Sequence, residues 1–217
     1  MSAARSRRAA LVIKRALDIA GAGGALVVLS PVLLAVSVAV GRSSPGGILF
    51  RQERAGRDGR TFRIHKFRTM TIDPPDVASE LRAARDEARI TRVGRILRRT
   101  SLDELPQLID IVRGDMSLVG PRPDLVHHAE RYTAHQRERL RMRPGLTGWA
   151  QVHGRQMLSF EERFKYDVWY VDHWSLRLDL KIMALTVRKV LTGDGVPPPG
   201  YVFTTPSSER RDEGDPR

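Results

Sequence analysis

The segment IAGAGGALVVLSPVLLAVSVAV, residues 19–40, decides how this chain is organised, because it runs for 22 residues without a charge. As one straight helix it would be about 33 Å long at ~1.5 Å per residue, enough for a hydrocarbon core of roughly 30 Å. Pro31 lies near its middle, where it removes an amide donor and crowds the carbonyl of Val27. The hydroxyl of Ser30 can return a hydrogen bond to the freed backbone groups. The segment therefore predicts a helix broken at Ser30 and Pro31.

Positive charge flanks this apolar segment on both sides. Residues 1–15 contain five basic residues and no acid, and residues 42–68 contain eight Lys and Arg against two acids. A spanning helix carries its excess of Lys and Arg on one side, whereas a helix that enters and returns carries it on both. We therefore expect a re-entrant, broken membrane helix with both flanks on the cytoplasmic face. A proline-kinked spanning anchor and a cleaved signal peptide are the alternatives.

The composition of the whole chain excludes several classes of protein and predicts the charge of its partner. Its 217 residues include 37 Lys and Arg against 25 Asp and Glu, a net charge of +12, and no cysteine. The lack of cysteine excludes disulfide scaffolds, thiolate metal sites and thiol enzymes. The basic excess predicts an anionic partner, which is nucleic acid, anionic lipid head groups or a phosphorylated substrate.

Beyond the apolar segment, the chain is predicted to form a mainly α-helical fold with a small β-hairpin, an α+β class. Residues 47–67 predict two strands around a turn at Gly56 to Gly59, with Phe62 and Ile64 alternating against Arg63 and His65. Helices are expected at 77–88, 89–99, 105–113, 125–141 and 180–191, and loops at 117–124 and 143–148. We divide the chain into a basic N-terminus with the membrane helix at 1–42, a compact domain at 43–192, and a tail at 193–217 whose end is expected to be disordered.

Two of these helices are amphipathic. Residues 89–99 place Ile90, Val93 and Leu97 on one face with arginines between them. This pattern is typical of a membrane-surface helix with arginines toward lipid phosphates, and a solvated helix packed on the domain is the alternative. The aliphatic residues of 180–191 predict one apolar face on the last helix.

The most informative stretch for chemistry is RRTSLDELPQ, residues 98–107, in which two adjacent carboxylates follow a run of arginines. Ser101 with Glu104 fits a capping box, whereas Pro106 favours a cap one or two residues later. The positive end of the helix favours an ionised Asp103 and attracts phosphate. An ionised Asp can attack phosphorus and a neighbouring Glu can hold Mg²⁺, while a pure capping role for the pair is the alternative.

A second stretch presents a phosphate-binding group. Arg122 stands between Pro121 and Pro123, which stiffen the loop that carries it. A planar guanidinium fixed in this way suits bidentate phosphate binding.

Taken in order, these segments resemble the catalytic domain of the bacterial sugar transferases known as polyprenol-phosphate phosphoglycosyl transferases, in their small monotopic form. The resemblance runs from about Leu11 to Leu191. It rests on Lys14, Arg15 and Asp18 leading into the break at Ser30 and Pro31, and on the blocks KFRTM at 66–70, SLDELPQ at 101–107, GDMSLVGPRP at 114–123 and RPGLTGWAQ at 143–151.

The resemblance implies a two-step transfer. In the family, the aspartate at the position of Asp103 attacks the sugar-linked phosphate of a UDP-sugar, releases UMP and forms a glycosyl-phospho-aspartate. A polyprenol phosphate such as undecaprenyl phosphate then receives the sugar phosphate. Glu104 matches the family's Mg²⁺ ligand, and Arg98 and Arg122 match arginines placed to bind phosphate. Further candidate substrate contacts are Lys66, Arg143, Gln151, Arg155 and Asp167.

The resemblance also implies a location and partners. We expect an inner-membrane, monotopic protein whose catalytic domain lies on the cytoplasmic face among anionic lipids, without a nucleic-acid partner, and a homodimer stays open. His153 and Asp110 depart from the asparagines expected at these positions in many relatives. The alternative function is a membrane-tethered basic binding module without catalysis, which would lose affinity with salt and be indifferent to Asp103 and Glu104.

Overall fold

The computed structural model describes residues 2–71, 89–154 and 157–192, with side chains from residue 7 onward. The predicted helix at 77–88, Arg155 and the tail at 193–217 lie outside these residues. The described part is mainly helical with two small sheets, in agreement with the predicted α+β class.

The described helices are α1 (Ser2–Val28), α2 (Ser30–Ser43), α3 (Arg92–Thr100), α4 (Gln107–Arg113), α5 (Val126–Glu130), α6 (Ala134–Arg137), α7 (Trp149–His153), α8 (Phe160–Asp172) and α9 (Leu176–Thr192). The described strands are β1 (Leu49–Ala55), β2 (Thr61–Phe67), β3 (Ser117–Val119) and β4 (Gly145–Thr147). Short 3₁₀ turns lie at Arg57–Gly59, Leu102–Glu104 and Glu138–Arg141.

Helices α1 and α2 form a pair that is bent by 64° at Leu29. Ser30 and Pro31 begin α2, and the Ser30 hydroxyl donates to the Val27 carbonyl at 2.8 Å. The predicted break and the predicted use of the serine hydroxyl are therefore confirmed. Within the described ranges no single helix is long and apolar enough to cross a membrane, whereas this bent pair together meets the length and composition. Entry into a bilayer and return stays a prediction.

One face of the bent pair packs on the rest of the fold, and the other is exposed. Ala22 is fully buried against apolar side chains of β2 and α4, and Val40 is fully buried against β2 and α3. At the bend, Val27 and Val28 are 75% and 76% exposed. The bend thus presents an apolar outer surface.

Strands β1 and β2 form the predicted antiparallel hairpin, with Phe50 opposite Lys66. Its turn contains Asp58 and Gly59 in the left-handed region, at φ of 56° and 78°. The predicted alternation holds from Phe62 to Ile64 but not at His65, which is also buried and whose ring Nδ1 lies 2.6 Å from Asp110 Oδ1. The carboxylate of Asp110 on α4 offsets the cost of burying the polar ring, so the alternation along β2 does not decide the burial of His65.

Strands β3 and β4 form a small parallel sheet in segments that the sequence predicted as loops. A strand of three residues is too short to show an alternation of apolar and polar residues, and the surrounding sequence is rich in glycine and proline. The glycines allow close backbone contact instead. A Cβ at Gly120 would lie 2.3 Å from the Arg143 carbonyl oxygen, and one at Gly145 would lie 2.1 Å from the Gly120 nitrogen.

The predicted single helix at 125–141 is wrong, because the chain forms α5, α6 and a 3₁₀ turn in this region. Thr133 starts α6 through a capping box with Gln136. Just before it, Tyr132 turns inward and its hydroxyl donates to Asp124 Oδ2 at 2.7 Å. A buried side chain followed by a new N-cap ends the first helix.

The two amphipathic helices pack differently from each other. Leu97 of α3 is 3% exposed and packs against α2, as the alternative of a helix packed on the domain predicts. Lipid contact by the arginines of α3 stays a prediction. On α9 the apolar face is not directed into the fold, because Leu180, Val187 and Leu191 are 59%, 58% and 80% exposed while Ile182 is fully buried.

Candidate active site

The two adjacent carboxylates lie in the short connection between α3 and α4. Helix α3 ends at Ser101, which adopts a left-handed conformation at φ 59°, and a 3₁₀ turn over Leu102–Glu104 follows. Pro106 then forms the N-cap of α4, so the predicted place of this proline inside the first turn is wrong by one residue. Neither helical start shows a side-chain cap, so the capping box of Ser101 and Glu104 is not formed. The turn leaves both carboxylates free for other partners.

Glu104 is held by two cations from distant parts of the chain. Lys66 Nζ on β2 donates to Glu104 Oε1 at 2.7 Å, and Arg122 Nη2 donates to the same oxygen at 2.6 Å. The Glu104 side chain is only 17% exposed. Burial raises the pKa of Glu104, but the charges of Arg122 and Lys66 outweigh it and hold that pKa well below its usual range. Glu104 is therefore a fixed anion.

Asp103 has the opposite environment. Burial and the neighbouring Glu104 charge raise the pKa of Asp103 to about 6, against the weaker opposing charges of Lys66 and Arg98. Lys66 and Arg122 are engaged by Glu104, and within the described residues no side chain forms an ion pair with Asp103. At neutral pH this carboxylate is mostly ionised but more basic than an ordinary aspartate, as expected of a nucleophile.

Five of the predicted site residues converge here from four parts of the fold. They are Lys66, Arg98, Asp103, Glu104 and Arg122. Arg98 is fixed by its Nε, which donates to the Thr69 hydroxyl at 2.9 Å, and it acts on Asp103 through its charge. The result is a carboxylate pair beside three cations, the charge distribution that a phosphorylated ligand requires.

The other predicted contacts lie away from this cluster. Asp167 is 2% exposed, and its Oδ2 accepts from Arg139 at 2.6 Å. Arg143 donates through Nε to the Gly114 carbonyl at 2.8 Å and lines a separate cavity of about 410 Å³. Gln151 donates to the Leu146 carbonyl at 3.0 Å.

Sequence reasoning missed two residues that support the site. Asp110 binds both the backbone and the ring of His65, which directly precedes Lys66 on β2. A carboxylate within the apolar run LIDIV was a signal of a buried partner. Arg139 had no such signal, because it is one of several arginines in a polar segment.

Asp103 and Glu104 supply only part of the ligands that a Mg²⁺ ion needs. Within the described residues, no three acidic or histidine side chains converge as a metal cage. Mg²⁺ needs less, since one or two carboxylates, substrate phosphates and waters complete its coordination. Glu104 Oε2 has one long contact of 3.4 Å with Arg122, so it is the less committed of the two Glu104 oxygens. The residues present are therefore compatible with Mg²⁺ that arrives with a phosphorylated substrate.

Comparison with known proteins adds independent information. The sequence profile described as bacterial sugar transferase matches residues 9–193. The uncharacterized sugar transferase EpsL of Bacillus subtilis is 46% identical over 88% of this chain and 94% of its own length. The UDP-glucose:undecaprenyl-phosphate glucose-1-phosphate transferase of Caulobacter vibrioides is 47% identical over 83% of this chain and 70% of its own length. The Escherichia coli protein of that name is 43% identical over 82% of this chain, which spans 40% of that relative.

The family match covers the bent helix pair, the hairpin and both segments that carry the acidic and basic site residues. Its extent and the identity to several relatives agree with the resemblance drawn from the motifs. This chain belongs to the bacterial sugar transferase family.

Proposed function

We propose that this protein transfers a sugar 1-phosphate from a UDP-sugar to a membrane polyprenol phosphate, such as undecaprenyl phosphate, and releases UMP. The observation that carries the proposal is the contrast between two adjacent carboxylates. Glu104 is an anion fixed between Lys66 and Arg122, whereas Asp103 is a more basic carboxylate that pairs with no cation among the described residues. The names of the Caulobacter and Escherichia relatives support the classes of donor and acceptor.

In the first step, a carboxylate oxygen of Asp103 attacks the phosphorus that carries the sugar. The bridging P–O bond to the uridylyl phosphate breaks, and UMP leaves with the bonding electron pair. Asp103 is then joined to the sugar phosphate as a mixed anhydride. Lys66, Arg98 and Arg122 neutralise the charge that spreads over the phosphate oxygens in the transition state.

In the second step, a phosphate oxygen of the polyprenol phosphate attacks the same phosphorus. The bond between Asp103 and phosphorus breaks, the carboxylate is regenerated, and the product is a polyprenyl diphosphate sugar. Because no proton has to be removed from either attacking group once it is ionised, the protein contributes positioning and charge neutralisation.

We further propose that Mg²⁺ is held by Glu104 together with substrate phosphate. When bound, the ion would neutralise charge on the diphosphate and favour departure of UMP.

The acceptor is a membrane lipid, so the site must work at a bilayer surface. The exposed apolar bend at Val27 and Val28 supports insertion of the α1–α2 pair as a re-entrant element. Arg42 and the basic residues of the hairpin would then lie near anionic head groups on the cytoplasmic side. This arrangement would bring the acceptor phosphate to Asp103 without removing its lipid tail from the membrane.

The proposal is tested with the purified full chain in nanodiscs that contain undecaprenyl phosphate, with Mg²⁺ and a panel of UDP-sugars. UMP release is expected with at least one donor, and Asp103→Asn is expected to abolish it. Asp172→Asn is the matched control, because Asp172 is an exposed acid that pairs with Arg141. Full activity in Asp103→Asn would overturn the nucleophile. Salt-sensitive lipid binding without UMP release by the wild type would favour the binding-module alternative.

A further inference from the structure

The loop that carries Arg122 cannot be held by its own amides. Pro121 and Pro123 have no N–H group, so Arg122 supplies the only amide donor of the three residues. Donors from other segments hold the loop through its carbonyl oxygens instead. The Gly145 amide donates to the Pro121 carbonyl at 2.9 Å, and Arg139 Nη2 donates to the Arg122 carbonyl at 2.7 Å.

Arg139 is an unusually buried cation. The residue is 6% exposed, and its guanidinium lies 5.0 Å from the ring centre of Phe164 and 5.7 Å from that of Tyr132. Burial lowers the pKa of Arg139, but the charge of Asp167 and the contacts with Tyr132 and Asp124 raise it above its ordinary value. A desolvated charge is retained only when it is paired and hydrogen-bonded.

The partners of Arg139 fix the direction of its guanidinium. Asp167 Oδ2 accepts from Nη2 at 2.6 Å, and the Tyr132 hydroxyl accepts from Nη1 at 2.7 Å. The Tyr132 hydroxyl in turn donates to Asp124, which is the residue after Pro123. The planar fork of Arg139 therefore binds the Arg122 carbonyl while the same network binds the end of the loop.

We propose that Arg139 is a positioning residue, and that Asp167 acts through Arg139 rather than by touching substrate. Arg139 fixes the peptide from which the Arg122 side chain starts, and Glu104 fixes the guanidinium at its other end. This inference rests on the proposed function, because it assigns Arg139 to the placement of a phosphate-binding arginine. It also replaces the predicted substrate contact of Asp167 with a role behind the site.

A double-mutant cycle separates this role from simple support of the fold. Arg139→Lys keeps the charge but loses the fork that binds three partners at once. We expect UMP release, measured as kcat/KM for the UDP-sugar, to fall by about 100-fold, the effect of a misplacement of about 1 Å. In the Arg122→Ala background the same change should lower kcat/KM by less than about 3-fold, because coupled residues are not additive. Asp167→Asn, a milder change, should show the same pattern with smaller losses.

The matched control is Arg141→Lys, since Arg141 lies in the same 3₁₀ turn and its ion pairs with Glu138 and Asp172 are exposed. It should leave kcat/KM unchanged. Thermal unfolding of every variant identifies any that fail to fold, and Asp167→Asn then carries the cycle in place of Arg139→Lys.

The outcomes for the inference and for the proposed function differ. Equal losses from Arg139→Lys or Asp167→Asn in the wild-type and Arg122→Ala backgrounds would overturn the positioning role, while an active wild type would leave the function intact. If the wild type releases no UMP with any donor, the function is overturned. The cycle is then measured on the dissociation constant for UDP by calorimetry, where additive losses, or the absence of any UDP binding, would overturn the positioning role as well.

Discussion

The raised pKa of Asp103 predicts an acid limit to the first half-reaction. Only the ionised carboxylate can attack phosphorus, and its pKa is about 6. The ionised fraction is then about 90% at pH 7, about 50% at pH 6 and about 10% at pH 5. The rate of UMP release should therefore fall about fivefold from pH 6 to pH 5 and about tenfold for each further pH unit. An ordinary aspartate with a pKa near 4 would still be about 90% ionised at pH 5.

The assay is the burst of UMP in a single turnover without acceptor. Both phosphates of a UDP-sugar are diesters that ionise far below pH 6, so the donor does not titrate in this range. The phosphate monoester of the polyprenol phosphate would titrate near pH 6, and it is omitted from the assay. The pH dependence of the burst rate then reports on the enzyme.

Two variants test whether the titration of Asp103 causes the loss of rate at low pH. Lys66 and Arg98 both lower the pKa of Asp103. Their removal, in Lys66→Met and Arg98→Met, should therefore move the limit to higher pH while the residual rate falls. Arg95→Met is the control, because Arg95 lies one turn earlier on α3 and is exposed. A limit near pH 4 in the wild type, or equal limits in all four proteins, would refute the reasoning.

Three further predictions concern stability and topology. Lys14→Met should lower the free energy of unfolding by about 3 kcal/mol and the melting temperature by roughly 6–12 °C, because it leaves Asp179 buried with two other donors but no cation. The double change with Asp179→Leu should recover only part of that loss in the same thermal scan, because it removes the buried charge but also the acceptor of Tyr170 and Trp174. Single cysteines at positions 6 and 47, which lie on either side of the apolar segment 19–40, should react with an impermeant label from the same side of the membrane, and opposite labelling would exclude re-entry. Gly120→Ala should destabilise by about 2 kcal/mol or more in denaturant unfolding because its Cβ would overlap a backbone oxygen, whereas Gly24→Ala, with open space around it, should be neutral or stabilising.

Local signals in the sequence predicted the parts of this fold that local chemistry decides. Pro31 and Ser30 predicted the bend, and the turn at Gly56 to Gly59 predicted the hairpin. The parallel pairing of β3 and β4 escaped prediction because each strand has three residues and their partners are 28 positions apart, Ser117 with Gly145.

The chemistry of the site divides in the same way. The sequence motifs identified Asp103, Glu104 and Arg122 as candidate site residues. The partners of these residues depend on the tertiary fold. Lys66 reaches Glu104 across 38 positions, and Arg139 reaches Asp167 across 28. No spacing along the chain predicts such contacts, so the sequence does not show that Asp167 is buried against Arg139.

Asp103 and Glu104 are neighbours in sequence and carry the same charge, yet the fold gives them opposite roles. Glu104 engages Lys66 and Arg122 and is thereby kept ionised. The same pairing reduces the cations available to Asp103, and the fixed negative charge of Glu104 adds to the effect of burial. Glu104 thus binds the two cations while Asp103 is the more basic carboxylate, as in other sites where two carboxylates are driven apart in pKa. The division follows from geometry, because Glu104 binds both cations, which come from β2 and the proline-flanked loop.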